Sequence, residues 1–154
     1  MDKPRNIMEV IATFFGAGNL PKAPGTFGTI AALPLYLVIR RLPFACYLAI
    51  TALLTIIGAV AAGKMEHEWG KDPSRVVIDE VCGLLVTLIS RPARLKDIII
   101  GTALFRFLDI VKPPPVGTID KRVPGGVGIM ADDIAAGIMA ALVLHLTRKM
   151  WQRS

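Results

Sequence analysis

The chain has 154 residues, a length typical of one domain with its own hydrophobic core. Its residues are 53% hydrophobic and 19% charged, whereas soluble domains carry about a quarter charged residues, so the composition indicates a membrane protein or a very apolar helical one. The formal net charge of +6 favours contact with anionic lipid, and because aromatic residues are scarce and no basic run alternates with them, no nucleic-acid partner is expected.

The apolar segments, taken in chain order, predict helices. They are rich in Ala and Leu and are interrupted by Gly and Pro where helices end, which predicts an all-α, compact bundle of about five or six apolar helices. Residues 1–154 form one predicted domain. The longest uncharged segment spans residues 42–63, and it is the strongest membrane-spanning candidate because about 20 apolar residues cross a bilayer. The shorter apolar runs are 29–39, 81–90, 98–105 and 134–147. The bundle is therefore expected to be membrane-associated or partly membrane-spanning.

The two cysteines, Cys46 and Cys82, lie in apolar stretches without metal-type spacing. We expect both to be reduced, buried thiols rather than a disulfide.

Acidic residues are unevenly distributed along the chain. If successive apolar segments alternate in direction, the charged connections at one end of the bundle are 1–28, 64–80 and 106–133. Eleven of the twelve acidic residues fall in these ranges, with Asp97 as the exception. Lysines and arginines divide ten to eight between the two ends, which barely orients the chain in a membrane.

Three stretches supply most of this acidic end, and each places carboxylates beside an apolar run. They are "VVIDEVCG" with Asp79 and Glu80, "FRFLDIVKPPP" with Asp109, and "GIMADDIAAG" with Asp132 and Asp133. A helix cap or a salt bridge is the simpler explanation of any single pair. Unpaired carboxylates in apolar surroundings are expensive, however, and Mg²⁺ would bind their oxygens while leaving room for a phosphate. The three stretches together therefore predict a divalent metal site.

Cationic residues accompany these carboxylates. Arg106 lies one helical turn before Asp109, Lys112 follows on the next turn, and Lys22 opens a glycine-containing loop. They suit a phosphate ligand, although each also serves as a counter-ion for an aspartate in the alternative interpretation.

The loop "GNLPKAPGTFGTIAALP" carries Thr26 and Thr29 among glycines, directly before an apolar run. Thr29 is predicted to begin a helix whose exposed N–H groups face the acidic site and bind an anion. The loop lacks the Gly-Lys-Ser/Thr ending of a Walker A motif.

Four motifs in this order, "LPKAPGTFGT", "VVIDEVCG", "FRFLDIVKPPP" and "GGVGIMADDIAAG", resemble the phosphatidylglycerophosphatase A family over about residues 15–145. The resemblance implies a Mg²⁺-dependent phosphatase that converts phosphatidylglycerophosphate into phosphatidylglycerol. It implies a bacterial inner (cytoplasmic) membrane location, with the active site on the cytoplasmic side.

The resemblance also implies a set of site residues. Asp79, Asp109 and Asp133 would be catalytic, and the metal ligands would be Asp79, Glu80, Asp109, Asp132 and Asp133. The substrate phosphate would be bound by Lys22, Thr26, Thr29, Arg106 and Lys112.

Two other classes of protein are weighed against a lipid phosphatase. A small membrane cation-binding or transport protein would also use helix-end carboxylates, but it would spread them through the membrane depth. A purely structural bundle leaves the glycine loops and the acidic clustering unexplained.

Overall fold

A computed structural model of the chain describes residues 6–151, and within this range the protein is all helical, without strands. The predicted all-α bundle is confirmed. Five long helices form its body, with two short helices and one 3₁₀ turn (Ala17–Asn19) beside them. The helices are α1 (Ile7–Ala12), α2 (Pro24–Ile39), α3 (Phe44–Trp69), α4 (Ile78–Thr87), α5 (Leu95–Val111), α6 (Val116–Arg122) and α7 (Gly125–Trp151).

Helix α4 is the central element. It packs against α2, α3, α5 and α7, and every residue from 81 to 85 is buried. A helix that is apolar on all sides is stable only when other helices cover it. Because α4 begins in the interior, Asp79 and Glu80 in its first turn are carried to the centre of one end of the bundle.

Glycines let the long helices approach α7 closely. A Cβ atom on Gly137 would lie 2.5 Å from the carbonyl oxygen of Gly83 in α4, and a Cβ atom on Gly126 would lie 2.4 Å from the backbone nitrogen of Gly63 in α3. Neither distance leaves room for a side chain. The backbone of α7 is thus in direct contact with its neighbours at the end of the bundle where Asp132 lies.

Helices α3 and α7 are each long and apolar enough to cross a membrane, judged by length and composition. Only 22% of the most apolar stretch of α3 is buried within the protein, compared with 50% for α7. Much of the outer surface of α3 is therefore apolar and available to lipid. Cys46 lies on this exposed surface, so the prediction that both thiols are buried is wrong for Cys46 and confirmed for Cys82; both are free.

Two predicted helix boundaries are also wrong. Helix α2 begins at Pro24 rather than at Thr29, because Ala23 adopts a left-handed conformation (φ 49°) and proline is well suited to a first turn. Helix α7 begins at Gly125 rather than near Ile134, so the glycine-rich stretch before the aspartates is helical.

Candidate active site

A cavity of about 1130 Å³ opens at the end of the bundle where α2, α4 and α7 begin and α5 ends. The alternating direction of the long helices brings these termini together. Its wall contains all five of the predicted acidic residues and three of the five predicted phosphate ligands. These eight residues are Asp79, Glu80, Asp109, Asp132, Asp133, Thr26, Arg106 and Lys112.

Three carboxylates form the centre of this site. Asp79, Glu80 and Asp133 each offer an oxygen, and these oxygens lie within 4.8 Å of one another. One oxygen of each (Oδ1 of Asp79, Oε2 of Glu80 and Oδ2 of Asp133) is buried and has no hydrogen-bond partner among residues 6–151. Buried carboxylate oxygens are normally paired, because losing their hydration without compensation is costly.

Burial and mutual repulsion disfavour the charged forms of the two α4 carboxyl groups. The pKa of Asp79 is raised well above its usual range, first by desolvation and then by the charges of Glu80 and Asp133. Desolvation also raises the pKa of Glu80, while Arg106 opposes this shift. The positive charge of a bound cation would oppose both effects, because it favours the ionised carboxylates.

The three carboxylates fit a divalent cation by chemistry and by spacing. Mg²⁺ prefers carboxylate oxygens, and it is commonly bound through one or two carboxylates plus phosphate oxygens and water. Asp79, Glu80 and Asp133 are therefore the residues of this cavity best suited to hold it.

The position of Asp132 and Asp133 excludes helix capping. Both lie two turns inside α7, which begins at Gly125, and they are 4% and 3% exposed. The prediction that they sit at a helix terminus is wrong, since the N–H groups that a cap would satisfy belong to the first turn. Their burial in the middle of a helix needs another explanation.

The two remaining acidic residues have cationic partners. Asp109 forms a short ion pair with Arg106, whose guanidinium also lies 3.6 Å from Oε1 of Glu80. Asp132 accepts a hydrogen bond from Nζ of Lys112 at 2.6 Å. They border the central cluster, but each is already neutralised by a neighbour.

Arg106 and Lys112 thus act as counter-ions in this structure, as the alternative interpretation of their sequence pattern predicts. Lys112 also donates to Asp120 at 2.8 Å, and its pKa is raised by its two carboxylate partners against the opposing effect of burial. Arg106 retains one buried donor, Nε, without a partner in the described part of the chain. A phosphate oxygen is a suitable acceptor for that N–H group.

The glycine loop contributes less than its sequence indicates. Thr26 lines the cavity, but Thr29 is 1% exposed and its hydroxyl donates to the carbonyl oxygen of Gly25 at 2.9 Å within α2. Lys22 is exposed and lies just outside the cavity wall. Because Pro24 has no N–H and the Thr26 N–H donates to Ala23, the first turn of α2 has fewer free donors than predicted. The structure does not bring Thr29 or Lys22 to the cavity.

Gly25 has a different role from anion binding. A Cβ atom at this position would lie 2.1 Å from Oε1 of Glu80 and 3.1 Å from a terminal nitrogen of Arg106. The absence of a side chain therefore lets α2 close over the carboxylate cluster.

Several charged residues of the cavity wall were not predicted from the sequence. They are Glu66, Lys71, Asp72, Asp120, Lys121 and Arg122. Their signal was present, because all of them fall in the ranges assigned to the acidic end. No family motif covered them, and the short helix α6 that carries three of them was not predicted.

Comparison with known proteins identifies the family of the chain. The model of the phosphatidylglycerophosphatase A family matches residues 10–148. Proteins named phosphatidylglycerophosphatase A from Escherichia coli and Haemophilus influenzae are each 34% identical to the chain. The alignment with the Escherichia coli protein covers 97% of this chain and 88% of that protein. The alignment with the Haemophilus influenzae protein covers 90% of this chain and 87% of that protein.

A Bacteroides thetaiotaomicron protein named "Putative phosphatidylinositol-3-phosphatase" is 38% identical over 96% of this chain and 98% of its own length. No solved structure matches the chain. With the family model matching nearly the whole chain, the protein belongs to the phosphatidylglycerophosphatase A family.

Proposed function

We propose that this protein hydrolyses the terminal phosphate monoester of phosphatidylglycerophosphate, giving phosphatidylglycerol and phosphate, and that the reaction depends on Mg²⁺. The observation that carries the proposal is the group of three clustered carboxylates, each with one buried, unpartnered oxygen, in a cavity that also contains cations. Membership of a phosphatase family supports the reaction class. Two apolar helices support action at a membrane, which we assign to the inner membrane with the cavity on the cytoplasmic side.

Within this proposal, Asp79, Glu80 and Asp133 would hold Mg²⁺. When bound, the ion would offset the charge of phosphate oxygens and so stabilise the developing negative charge of the reaction. Asp109 and Asp132 complete the acidic shell around the cluster, each fixed by its cationic partner.

In this proposal, Arg106 binds the phosphate that reacts. Its guanidinium is held between Glu80 and Asp109, so its position is fixed before the substrate arrives. The buried Nε donor is free of partners in the described chain and suits a phosphate oxygen. Thr26 supplies a hydroxyl at the same cavity wall. These groups orient the monoester beside the carboxylates, which is the main contribution a protein makes to phosphoryl transfer.

The alternative of cation transport finds no support. Its carboxylates would be spread along a path through the membrane. Here they line one cavity at one end of the bundle, and Arg106 and Lys112 stand among them.

The test is phosphate release from phosphatidylglycerophosphate by purified protein in detergent, with EDTA and with added Mg²⁺. We expect release that EDTA abolishes and Mg²⁺ restores. Phosphatidylinositol 3-phosphate is measured in parallel, because the name of the Bacteroides relative raises that substrate. Faster release from the inositol lipid would reassign the substrate, and EDTA-resistant release would contradict the metal site.

A further inference from the structure

The cations of the cavity fall into two sets. Arg106 and Lys112 are committed to carboxylates in the inner part of the site. Lys71, Lys121 and Arg122 also line the cavity, but they are exposed and form no ion pair with any carboxylate of residues 6–151. Lysine and arginine side chains that line a cavity without being held in a close ion pair are suited to an anionic ligand.

Helix α6 fixes the position of two members of this outer set, Lys121 and Arg122. This helix packs against α7 and is tied to the end of α5 through the hydrogen bond from Lys112 to Asp120. Lys121 and Arg122 follow Asp120 directly, so they are held beside the acidic site. Lys71 approaches from the loop between α3 and α4. Lys71 and Asp120 line the same cavity. Lys112 lowers the pKa of Asp120 most strongly, and Lys71 lowers it further, consistent with that shared position.

The proposed substrate carries two phosphate groups. One is the terminal monoester that is cleaved, and the other is the phosphodiester that joins the glycerol headgroup to diacylglycerol. The inner site accounts for the monoester alone. A cavity of about 1130 Å³ has room for the rest of the headgroup, since pockets of about 300–1,000 Å³ enclose ligands of drug size.

We propose that Lys71, Lys121 and Arg122 form a second anion subsite, which holds the phosphodiester of the lipid substrate while the monoester occupies the inner site. This inference rests on the proposed function. The subsite makes affinity depend on the diester, and it leaves the chemistry at the inner carboxylates unchanged. It therefore acts on substrate binding rather than on turnover.

The test uses the double variant Lys121→Gln/Arg122→Gln. Its matched control, Arg41→Gln/Lys149→Gln, removes the same charge from exposed positions outside the cavity. In neutral detergent micelles we expect the test variant to raise the KM for phosphatidylglycerophosphate about tenfold, as expected for the loss of charge-assisted hydrogen bonds, with kcat changed less than about twofold. The control should match wild type. A fall in kcat at constant KM would overturn the subsite.

The two reaction products separate the two subsites. Phosphatidylglycerol contains the diester and no monoester, whereas inorganic phosphate resembles the cleaved group. The test variant should bind dioctanoyl phosphatidylglycerol about tenfold more weakly in calorimetry, while inhibition by inorganic phosphate is unchanged. The calorimetric arm needs no turnover, so a failure of the proposed hydrolysis does not affect it.

A neighbouring phospholipid of the membrane presents the same phosphodiester group. If the outer cations held such a lipid instead, the variant would behave as wild type in neutral micelles. It would then lose activity only after phosphatidylserine is added to the micelles. That outcome, or unchanged binding of dioctanoyl phosphatidylglycerol, would overturn the proposal.

Discussion

The two ends of the bundle differ in whether a buried carboxylate has a cationic partner. Away from the cavity, Asp97 is 3% exposed and forms an ion pair with Arg148 at 3.2 Å. Arg148 also donates to the hydroxyl of Ser90 at 3.0 Å. At the cavity, Asp133 is equally buried at 3% exposure, yet one of its oxygens has no partner within the described residues.

Under the proposed function, this contrast separates a structural carboxylate, Asp97, from a metal ligand, Asp133. The fold can supply an arginine to a buried aspartate, as it does for Asp97. Near Asp133 the two available cations, Arg106 and Lys112, are bound to other carboxylates. An unpaired buried charge is expensive, so it persists where a ligand supplies the missing partner. The comparison predicts opposite consequences for the same chemical change at the two ends.

Asp133→Asn should have the largest effect on activity. Asparagine keeps the shape but removes the charge that a hard cation requires. We expect phosphate release to fall by more than about 100-fold, since losing only an outer-shell partner of a metal ligand costs about 10–100-fold. The free energy of unfolding without Mg²⁺ should be unchanged or higher, because repulsion within the cluster is relieved. Near-normal phosphate release at low Mg²⁺ would show that Asp133 is not a metal ligand.

Asp97→Asn should show the reverse pattern. The change leaves Arg148 without its anionic partner, and breaking a buried ion pair costs about 3–5 kcal/mol. Because a quarter of the Arg148 side chain is exposed, we expect a loss of about 2–3 kcal/mol in the free energy of unfolding. Activity per folded molecule should be retained. The measurements are denaturant unfolding and phosphate release for wild type and Asp97→Asn. A loss of activity without a loss of stability would contradict the structural role of Asp97.

Mg²⁺ itself should stabilise the protein through the acidic end alone. At 100 times its Kd, a ligand adds about 2.7 kcal/mol to the free energy of unfolding. Wild type and Asp97→Asn should both gain thermal stability with Mg²⁺, and Asp133→Asn should not. An equal gain in all three proteins would show that Mg²⁺ binds elsewhere.

This Mg²⁺ effect should weaken as the pH falls. Burial and neighbouring carboxylates raise the pKa of Asp79. In the metal-free folded protein, the Asp79 carboxyl group therefore stays protonated up to a higher pH than an ordinary aspartate does. That proton favours the folded, metal-free form as the pH decreases, and Mg²⁺ must displace it. The difference in Tm with and without Mg²⁺ should therefore be smaller at pH 6 than at pH 8. A constant difference would contradict competition between protons and the metal.

The contrast between Asp97 and Asp133 could be predicted from the sequence only in part. The alternating apolar runs correctly placed eight acidic residues at one end, where they line the cavity, because each run lies in a helix that crosses the bundle. Asp2, which was assigned to the same end, lies outside the described residues. The runs placed Asp97 at the other end, but the pairing with Arg148 depends on how α5 packs against α7 and is not visible in local spacing.

The start of α7 was mispredicted for a physical reason. Glycine has a low helix propensity, so "VPGGVGIM" is typical of a loop. In the folded protein Gly126 is helical because the absence of a side chain lets α7 contact the backbone of α3. Tertiary packing outweighed local propensity. The same error placed Asp132 and Asp133 at a terminus, where capping competed with metal binding as an explanation.

The smallest predicted effect concerns two threonines of the glycine loop, Thr26 and Thr29. Thr26 faces the cavity, whereas the Thr29 hydroxyl is bonded to Gly25 within α2. Thr26→Val should lower kcat/KM about 3- to 10-fold, consistent with one lost hydrogen bond of about 0.5–1.5 kcal/mol. Thr29→Val removes an equivalent hydroxyl nearby, and it should leave kcat/KM within about twofold while changing the free energy of unfolding by less than about 1 kcal/mol. Measured on phosphatidylglycerophosphate, the reverse ranking would restore Thr29 as a phosphate ligand, and it would mean that α2 presents a different face to the acidic end.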